Sequence, residues 1–298
     1  MLTTRTGTRR NIVASQRLAV GAAMTLTVLL AGCASTQTST PQSTPSVAAS
    51  TPARGVDAAT ETRSLGDVEP VTVDGQKQLV TDERGTYQKV QLAADSPLGL
   101  TVNTNILNPD VETQGFSEED VLAAQQFLSR FIASEVLDST ALDRDLDGYR
   151  DWVTATGQNY WQQQWREGIV AETSPALVNN GVGAEIAIRY VRDGKPRLSH
   201  ATISYSSITA ATADYGTFLR FDGKYEADYR AKNADVIAAY EAAGYSQDDT
   251  LSTLPKLGDE NAESIVKGTM TFTFGVIKVG DQWELSGYQN NFDNTIQK

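Results

Sequence analysis

The chain has 298 residues, of which 40% are hydrophobic and 21% are charged, a composition that can bury a core and excludes a wholly disordered protein. It carries 25 basic residues against 37 acidic ones, and the resulting net charge of −12 argues against nucleic-acid binding, which needs a basic surface. One cysteine and one histidine exclude a disulfide framework, a cysteine-rich zinc module and any site that needs two histidines.

The first 32 residues have the organisation of an export signal. Four arginines and no acid precede or border an apolar run from residue 18 to residue 30. A helix of that length extends about 20 Å, which is short of the ~30 Å hydrocarbon core of a bilayer. A basic start, a short apolar middle and small residues at the end are typical of a signal peptide, so residues 1–32 are predicted to be removed. A tilted transmembrane anchor is the alternative.

The segment ends with Leu30, Ala31, Gly32 and Cys33, which resemble the bacterial lipobox. The resemblance implies that the Cys33 thiol takes a diacylglyceryl group and that Cys33 becomes the new N-terminus, on the outer face of the cell membrane. Cys33 is also the only cysteine of the chain. Two or more acyl chains anchor a protein stably, so the membrane is the expected partner. Loss of residues 1–32, which contain four arginines and no acid, changes the net charge from −12 to −16.

Residues 33–64 are predicted to form a lipidated cysteine followed by a disordered tether. Residues 34–53 contain five serines, five threonines and three prolines, and no charge. Such a segment cannot bury enough apolar surface to offset the entropy of ordering. The same composition is found in O-glycosylated stalks, so a bare spacer and a glycosylated one both remain open. The composition resembles the tethers of actinobacterial secreted lipoproteins.

The remaining residues, 65–298, are predicted to form a single domain that begins with short strands and continues with helices. Turn signals separate three strand-like runs, at residues 68–73, 87–92 and 98–103. Ser117 and Asp120 then resemble a capping box, with Phe116 and Val121 positioned for a hydrophobic staple. Apolar residues at helical spacing follow as far as Ile132. A second helical pattern covers residues 149–165 and contains three of the four tryptophans.

The C-terminal half alternates apolar and polar residues, which is typical of an antiparallel sheet with one covered face. The alternation is found in five runs, around residues 186–190, 201–205, 225–229, 270–276 and 283–285. A hairpin is predicted at Gly280-Asp281, and a short helix is predicted at residues 233–243, closed by Gly244.

These elements define an α+β fold, with N-terminal helices packed on a curved antiparallel sheet. Their order over residues 115–292 resembles NTF2-like and cystatin-like domains. Residues 81–87 and 283–288 also look like uncharacterised actinobacterial lipoproteins of this build. The resemblance implies a location and no activity.

One acidic segment matches the first half of a calcium-binding loop pattern. Asp143, Asp145 and Asp147 stand at alternate positions before Gly148, and Asp151 follows at the ninth position. Carboxylates two residues apart can converge on one hard cation if the chain turns. Thr154 stands where such a loop needs a bidentate glutamate, which weakens the expected affinity toward the millimolar range. The alternative is an acidic connection at the positive N-terminus of the second helix.

His200, the only histidine, is predicted in a strand over residues 198–208, out of phase with the apolar residues of that strand. It therefore faces the other side of the sheet. Paired with a carboxylate in a pocket, it could act as a general acid or base. Strand phase offers Glu185, Asp228 and Asp214 as partners, although no spacing ties any of them to His200. A structural histidine is the alternative.

The sequence contains no phosphate-binding, nucleophile-elbow or dinucleotide motif. It therefore favours a non-enzymatic lipoprotein whose domain binds a small molecule or an envelope protein, with no cofactor expected. An NTF2-like pocket enzyme, such as an isomerase or dehydratase, is the second hypothesis. A calcium-stabilised envelope module is the third.

Overall fold

A computed structural model describes residues 64–145, 147–148, 151 and 182–296 of the chain. The chain divides into two units, and the described residues all lie in the second, Val56–Lys298. Its first strand begins at Ser64, one residue before the predicted start of the domain.

Six short strands come first along the chain. They are β1 (Ser64–Pro70), β2 (Thr72–Val73), β3 (Gln76–Lys77), β4 (Leu79–Asp82), β5 (Gly85–Gln88) and β6 (Val90–Leu92). The pairs β2–β3 and β4–β5 form small two-stranded sheets, whereas β1 and β6 join the main sheet. The runs predicted at residues 68–73 and 87–92 are therefore extended, each interrupted by one residue.

Short helices follow, and the longest of them is the one that the capping box predicted. They are α1 (Pro97–Leu100), a 3₁₀ turn (Thr104–Ile106), α2 (Asp110–Thr113), α3 (Glu118–Phe131), a π-helical turn (Ile132–Leu137) and a second 3₁₀ turn (Thr140–Asp143). In α3 the Ser117 side chain accepts from the Asp120 main-chain N–H, and the Asp120 carboxylate accepts from the Ser117 N–H. Both halves of the capping box are present, so this prediction is confirmed.

The strand predicted at residues 98–103 is wrong, because this segment begins with the helix α1. Pro97 occupies the first turn of α1, where its fixed φ suits a helix and its missing N–H costs nothing. Leu98 is fully buried on this one-turn helix.

The C-terminal half consists of four long strands with helices between them. The elements are α4 (Val182–Ala187), β7 (Leu198–Ala213), β8 (Gly216–Lys232), α5 (Asn233–Ala242), α6 (Gln247–Thr253), a 3₁₀ turn (Pro255–Gly258), β9 (Glu263–Val279) and β10 (Gln282–Ile296). The predicted hairpin at Gly280-Asp281 and the predicted helix closed by Gly244 are confirmed.

The strand predicted around residues 186–190 is wrong. Ile186 lies in α4, and the chain after it turns before it reaches β7. Ile186, Ile188 and Tyr190 are all buried, as the alternation required. Five residues with alternate apolar side chains do not distinguish a buried strand from the buried end of a helix. Either structure can bury all three apolar side chains over so short a segment.

The main sheet is antiparallel and has the strand order β10-β9-β8-β7-β1-β6. It curls into a half-barrel, and α3 packs on its inner face, so the α+β layout of helices on a curved antiparallel sheet is confirmed. The helices follow six strands and are therefore not N-terminal in the described part of the domain.

Bulges and one glycine explain the curl of the sheet. Register shifts occur in β7 between Leu198 and His200 and between Tyr205 and Ser207. Beside the second shift, a Cβ on Gly223 would come within 2.3 Å of the Ser204 carbonyl oxygen. A bulge adds a residue on one strand and increases its bend, and the glycine lets the neighbouring backbone come close.

Aromatic side chains fill the inner face of the half-barrel beneath α3. Phe131 of α3 meets Phe274 of β9 edge to face, with ring centres 6.3 Å apart. Ser129 and Tyr205 share a hydrogen bond of 2.9 Å in the same buried layer. This layer holds α3 against the sheet.

Candidate functional site

Several predicted site residues lie outside the described part of the chain. These are the lipobox residues Leu30, Ala31, Gly32 and Cys33, and the second helical pattern at residues 149–165, of which Asp151 alone is described.

Two of the calcium-loop aspartates are engaged with protein groups. Asp143 accepts from Arg197 Nη1 through Oδ1 and from the Tyr87 hydroxyl through Oδ2, each at 2.8 Å. Asp145 accepts from the main-chain N–H of Gly148 at 2.6 Å. Within the described residues, no three His, Cys, Asp or Glu side chains are grouped so that they could hold a metal ion. A calcium site that includes Asp147 and Asp151 stays a prediction, and it would compete with Arg197 for Asp143.

His200 lies in β7, on the outer face of the sheet. Its side chain is exposed, and its cross-strand neighbour is Asp228 of β8, one of the three partners that strand phase offered. The other two are elsewhere: Glu185 is buried in α4, and Asp214 lies in the exposed turn between β7 and β8. His200 therefore has a carboxylate beside it on an open surface.

Arg197 is the centre of a buried charged cluster that the sequence did not reveal. Its side chain has no exposed surface. Nε and Nη2 donate to Oδ1 of Asp138 at 3.0 and 2.7 Å, and Nη1 donates to Asp143. The guanidinium also lies over the ring of Tyr87, 3.7 Å from its centre. Two carboxylates and an aromatic face thus surround one cation.

The electrostatics of this cluster keep Arg197 charged. Burial would lower the pKa of Arg197, but the carboxylates of Asp138 and Asp143, together with Tyr87, raise it above its ordinary value. Lys89 approaches Asp138 from the other side, with Nζ 3.5 Å from Oδ2. Burial lowers the pKa of Lys89, and Asp138 opposes that effect. Asp138 therefore compensates two cations.

Two more arginines hold the loop after α4 against the 3₁₀ turn that ends at Asp143. Arg192 is almost fully buried, and it donates from Nε to Asp82 and from Nη2 to the Leu142 carbonyl at 2.8 Å. Arg84 donates from Nη2 to the same carbonyl at 2.7 Å. Both arginines also donate to the carbonyl of Ile188. Main-chain carbonyls thus act as acceptors where carboxylates are few.

Crowding of these cations lowers the pKa of Arg192. Burial lowers the pKa of Arg192, and the nearby guanidiniums of Arg84 and Arg197 lower it further, against the attraction of Asp82. The three arginines (Arg84, Arg192 and Arg197) and three aspartates (Asp82, Asp138 and Asp143) are called the arginine cluster below.

Two cavities open beside the arginine cluster. The larger has a volume of about 390 Å³ and is lined by Arg84, Arg189, Tyr190, Val191, Arg192, Asp193, Lys232, Asp235 and Glu263. The smaller has a volume of about 300 Å³ and is lined by Glu83, Arg84, Asp143, Asp145, Ile188 and Arg189. Arg84 and Arg189 line both cavities. The larger volume is within the range of small-molecule sites.

Arg230 neutralises part of the acidic lining of the larger cavity. Its Nη2 is 2.7 Å from Asp193 Oδ2, and its Nε is 3.1 Å from Glu263 Oε2. The hydrogen bond from Arg230 lowers the pKa of Asp193 to about 2. Asp193 therefore stays ionised, and Asp193 and Glu263 both already have Arg230 as a partner.

The sequence contained one signal for this site. Arg189 interrupts the apolar run from Ile186 to Val191, and Arg192 follows that run directly. A charged side chain inside such a run must reach water or a partner, because an isolated buried charge is expensive. The partners themselves, Asp82 and Asp138, carried no pattern that would have identified them.

None of the helices in the described part of the chain is both long and apolar enough to cross a bilayer.

Comparison of the chain with models of known protein families, with curated proteins and with solved structures gave no match. The residues of the site are accordingly the basis for assigning a function.

Proposed function

We propose that this chain is a lipid-anchored extracytoplasmic protein whose α+β domain is a non-enzymatic binding module. The anchor is supported by Leu30, Ala31, Gly32 and Cys33, because the only cysteine stands at the one position where a lipobox requires it. The partner at this end of the molecule is the membrane, through the lipid on Cys33.

The observation that carries the binding function is the larger cavity next to the arginine cluster. Its walls are held in place by buried ion pairs and by hydrogen bonds to main-chain carbonyls from Arg84 and Arg192. Side chains fixed in this way lose little further conformational entropy when a ligand binds. A small molecule or a segment of an envelope protein is the occupant that this function requires.

An NTF2-like build is the finer fold proposal. It is supported by the curled antiparallel sheet with α3 packed on its inner face. In such an enzyme the inner face would provide the reaction pocket, whereas here Phe131, Tyr205 and Phe274 occupy it. His200 faces away from this layer, so the arrangement favours the binding function over the pocket enzyme.

Replacement of Cys33 by alanine tests the anchor. Cells that express the wild-type chain and are fed a palmitate analogue should incorporate it into the protein, and the protein should fractionate with membranes. Cys33→Ala should abolish the labelling and leave residues 1–32 attached, because no other thiol is available. Ser35→Ala, two residues away, is the control and should be labelled like the wild type. Undiminished labelling of Cys33→Ala would contradict the proposal.

A further inference from the structure

Two of the arginines near the larger cavity are committed to the fold. Arg197 uses Nε and both Nη atoms on Asp138, Asp143 and the Ser139 carbonyl. Arg192 uses the same three nitrogens on Asp82 and on main-chain carbonyls. Neither can turn toward a ligand without breaking these contacts.

Arg84 and Arg189 differ, because each keeps donors that the described residues do not use. The hydrogen bonds of Arg84 to described residues come from Nη1 and Nη2, which leaves Nε–H. Arg189 Nη2 is 3.9 Å from Glu185 Oε2, which is an ion pair but too long for a hydrogen bond. Its buried Nε has no acceptor among the described residues.

Charge around the larger cavity is close to balanced, because most of its cations and acids are already paired. Arg230 is shared between Asp193 and Glu263. Asp82 is shared between Arg192 and Arg84, and Glu185 pairs with Arg189. Lys232 also lines the cavity and makes no ion pair with a described residue. The lining therefore offers the unused donors of Arg84 and Arg189 together with the ammonium of Lys232. Asp235 is the one lining acid that makes no ion pair with a described residue. Unused donors that all come from cationic side chains favour an anionic ligand.

We propose that Arg84, Arg189 and Lys232 form a binding site for the oxyanion group, a carboxylate or a phosphate, of a small molecule in this cavity. The planar fork of a guanidinium matches the oxygens of either group, and an ammonium supplies a third charge. Asp235 is available for a hydroxyl or ammonium elsewhere on the same ligand. This inference rests on the proposed binding function and specifies its ligand.

Calorimetric titration of the full-length chain in detergent tests the site. The probes are inorganic phosphate and succinate, and the reference is chloride at the same ionic strength. At least one probe should bind with saturable heat, and the probe that binds more tightly identifies the ligand group as phosphate or carboxylate. Arg189→Gln should weaken that binding about tenfold or more, because a charge-assisted hydrogen bond is lost.

Lys232→Gln is the second variant, since Lys232 is exposed and its replacement should leave the fold intact. Arg220→Gln is the matched control: it removes the same charge from an exposed arginine of β8 that pairs with Asp222, and it should bind like the wild type. The proposal is overturned if neither probe gives more heat than chloride, or if both cavity variants bind like the wild type. Labelling of Cys33 is independent of these results, so failure of the site leaves the proposed anchor standing.

Discussion

Arg197 shows how single residues decide the stability of this domain. A guanidinium without exposed surface is stable only if its partners are arranged around it, because removal of a charge from water costs several kcal/mol. Asp138 and Asp143 provide those partners from one segment of the chain and Tyr87 from another, the strand β5. The same arrangement makes the stability of the domain sensitive to substitution, since loss of one member leaves the charge of another buried without its partner.

Replacement of Arg197 by methionine should lower the free energy of unfolding by about 3–5 kcal/mol. The buried Asp138 carboxylate then loses both guanidinium hydrogen bonds and keeps only its contacts with Lys89 and the Val90 N–H among the described residues. Urea denaturation followed by tryptophan fluorescence measures this. Arg220→Met, which breaks an exposed pair, is the control and should cost about 0–1 kcal/mol. A cost for Arg197→Met no greater than that of the control would show that the cluster does not stabilise the fold.

Asp193 should make a pH-dependent contribution to stability. Its pKa is about 2 in the folded state, below the ordinary value, because Arg230 donates to it. A depressed folded pKa stabilises the fold above the unfolded pKa, and this contribution disappears as the pH falls through about 4 toward 2. Asp193 is partly exposed, so the expected amount is only about 0.2–1 kcal/mol.

Comparison of wild type with Asp193→Asn across pH 2–7 tests this contribution, because other acids titrate equally in both proteins. The wild type should be more stable at neutral pH, and the difference should vanish near pH 2. A difference that is constant with pH would mean that the Arg230 contact does not depend on the charge of Asp193.

At the scale of elements, the contact between α3 and β9 holds the helical layer on the sheet. Phe274 is fully buried and meets Phe131 edge to face, whereas Trp283 of β10 is only partly buried, against Phe116 and below Lys278. The alternation of apolar residues in β9 and β10 had suggested a similar role for both. The two residues differ in burial because β9 lies inside the sheet, whereas β10 is an edge strand.

Phe274→Ala should therefore cost about 3–5 kcal/mol, and Trp283→Ala about 1–3 kcal/mol, since the tryptophan loses less buried area. Chemical denaturation of the two variants gives the comparison. Tyr215→Ala, at an exposed turn, is the control and should change stability by about 0.5 kcal/mol or less. A larger loss for Trp283→Ala than for Phe274→Ala would show that the β9–β10 edge, rather than the α3 contact, dominates the core.

At the scale of the whole molecule, the proposed anchor, tether and domain have distinct physical roles. An acidic body of net charge −16 after processing is repelled by anionic lipid, so a charge-free tether at residues 34–53 would let it stand away from the surface. The unused cationic donors of Arg84, Arg189 and Lys232 at the larger cavity contrast with this acidic body. These donors would select anions at short range. The acidic body as a whole repels anions at long range, so its field does not attract the ligand.

The sequence by itself determined the features that depend on neighbouring residues. The capping box of α3, the hairpin at Gly280-Asp281 and the alternation in β7, β8 and β9 were predictable, because caps, turns and strand faces are encoded within a few positions. Short apolar runs were less informative. Residues 98–103 and 186–190 were assigned to strands, although a helical turn buries such residues equally well.

Only the tertiary structure decided the candidate site. Asp138 and Arg197 are 59 positions apart, and Arg84 reaches carbonyls 58 and 104 positions away. Such contacts leave no local period in the sequence, since they depend on which segments the sheet and helices bring to the same end of the molecule. The charge of a side chain can be read from the sequence. Whether that charge is buried and neutralised, as in Arg197, or faces a cavity, as in Arg189, depends on the chain around it, because burial and compensation are properties of the folded neighbourhood.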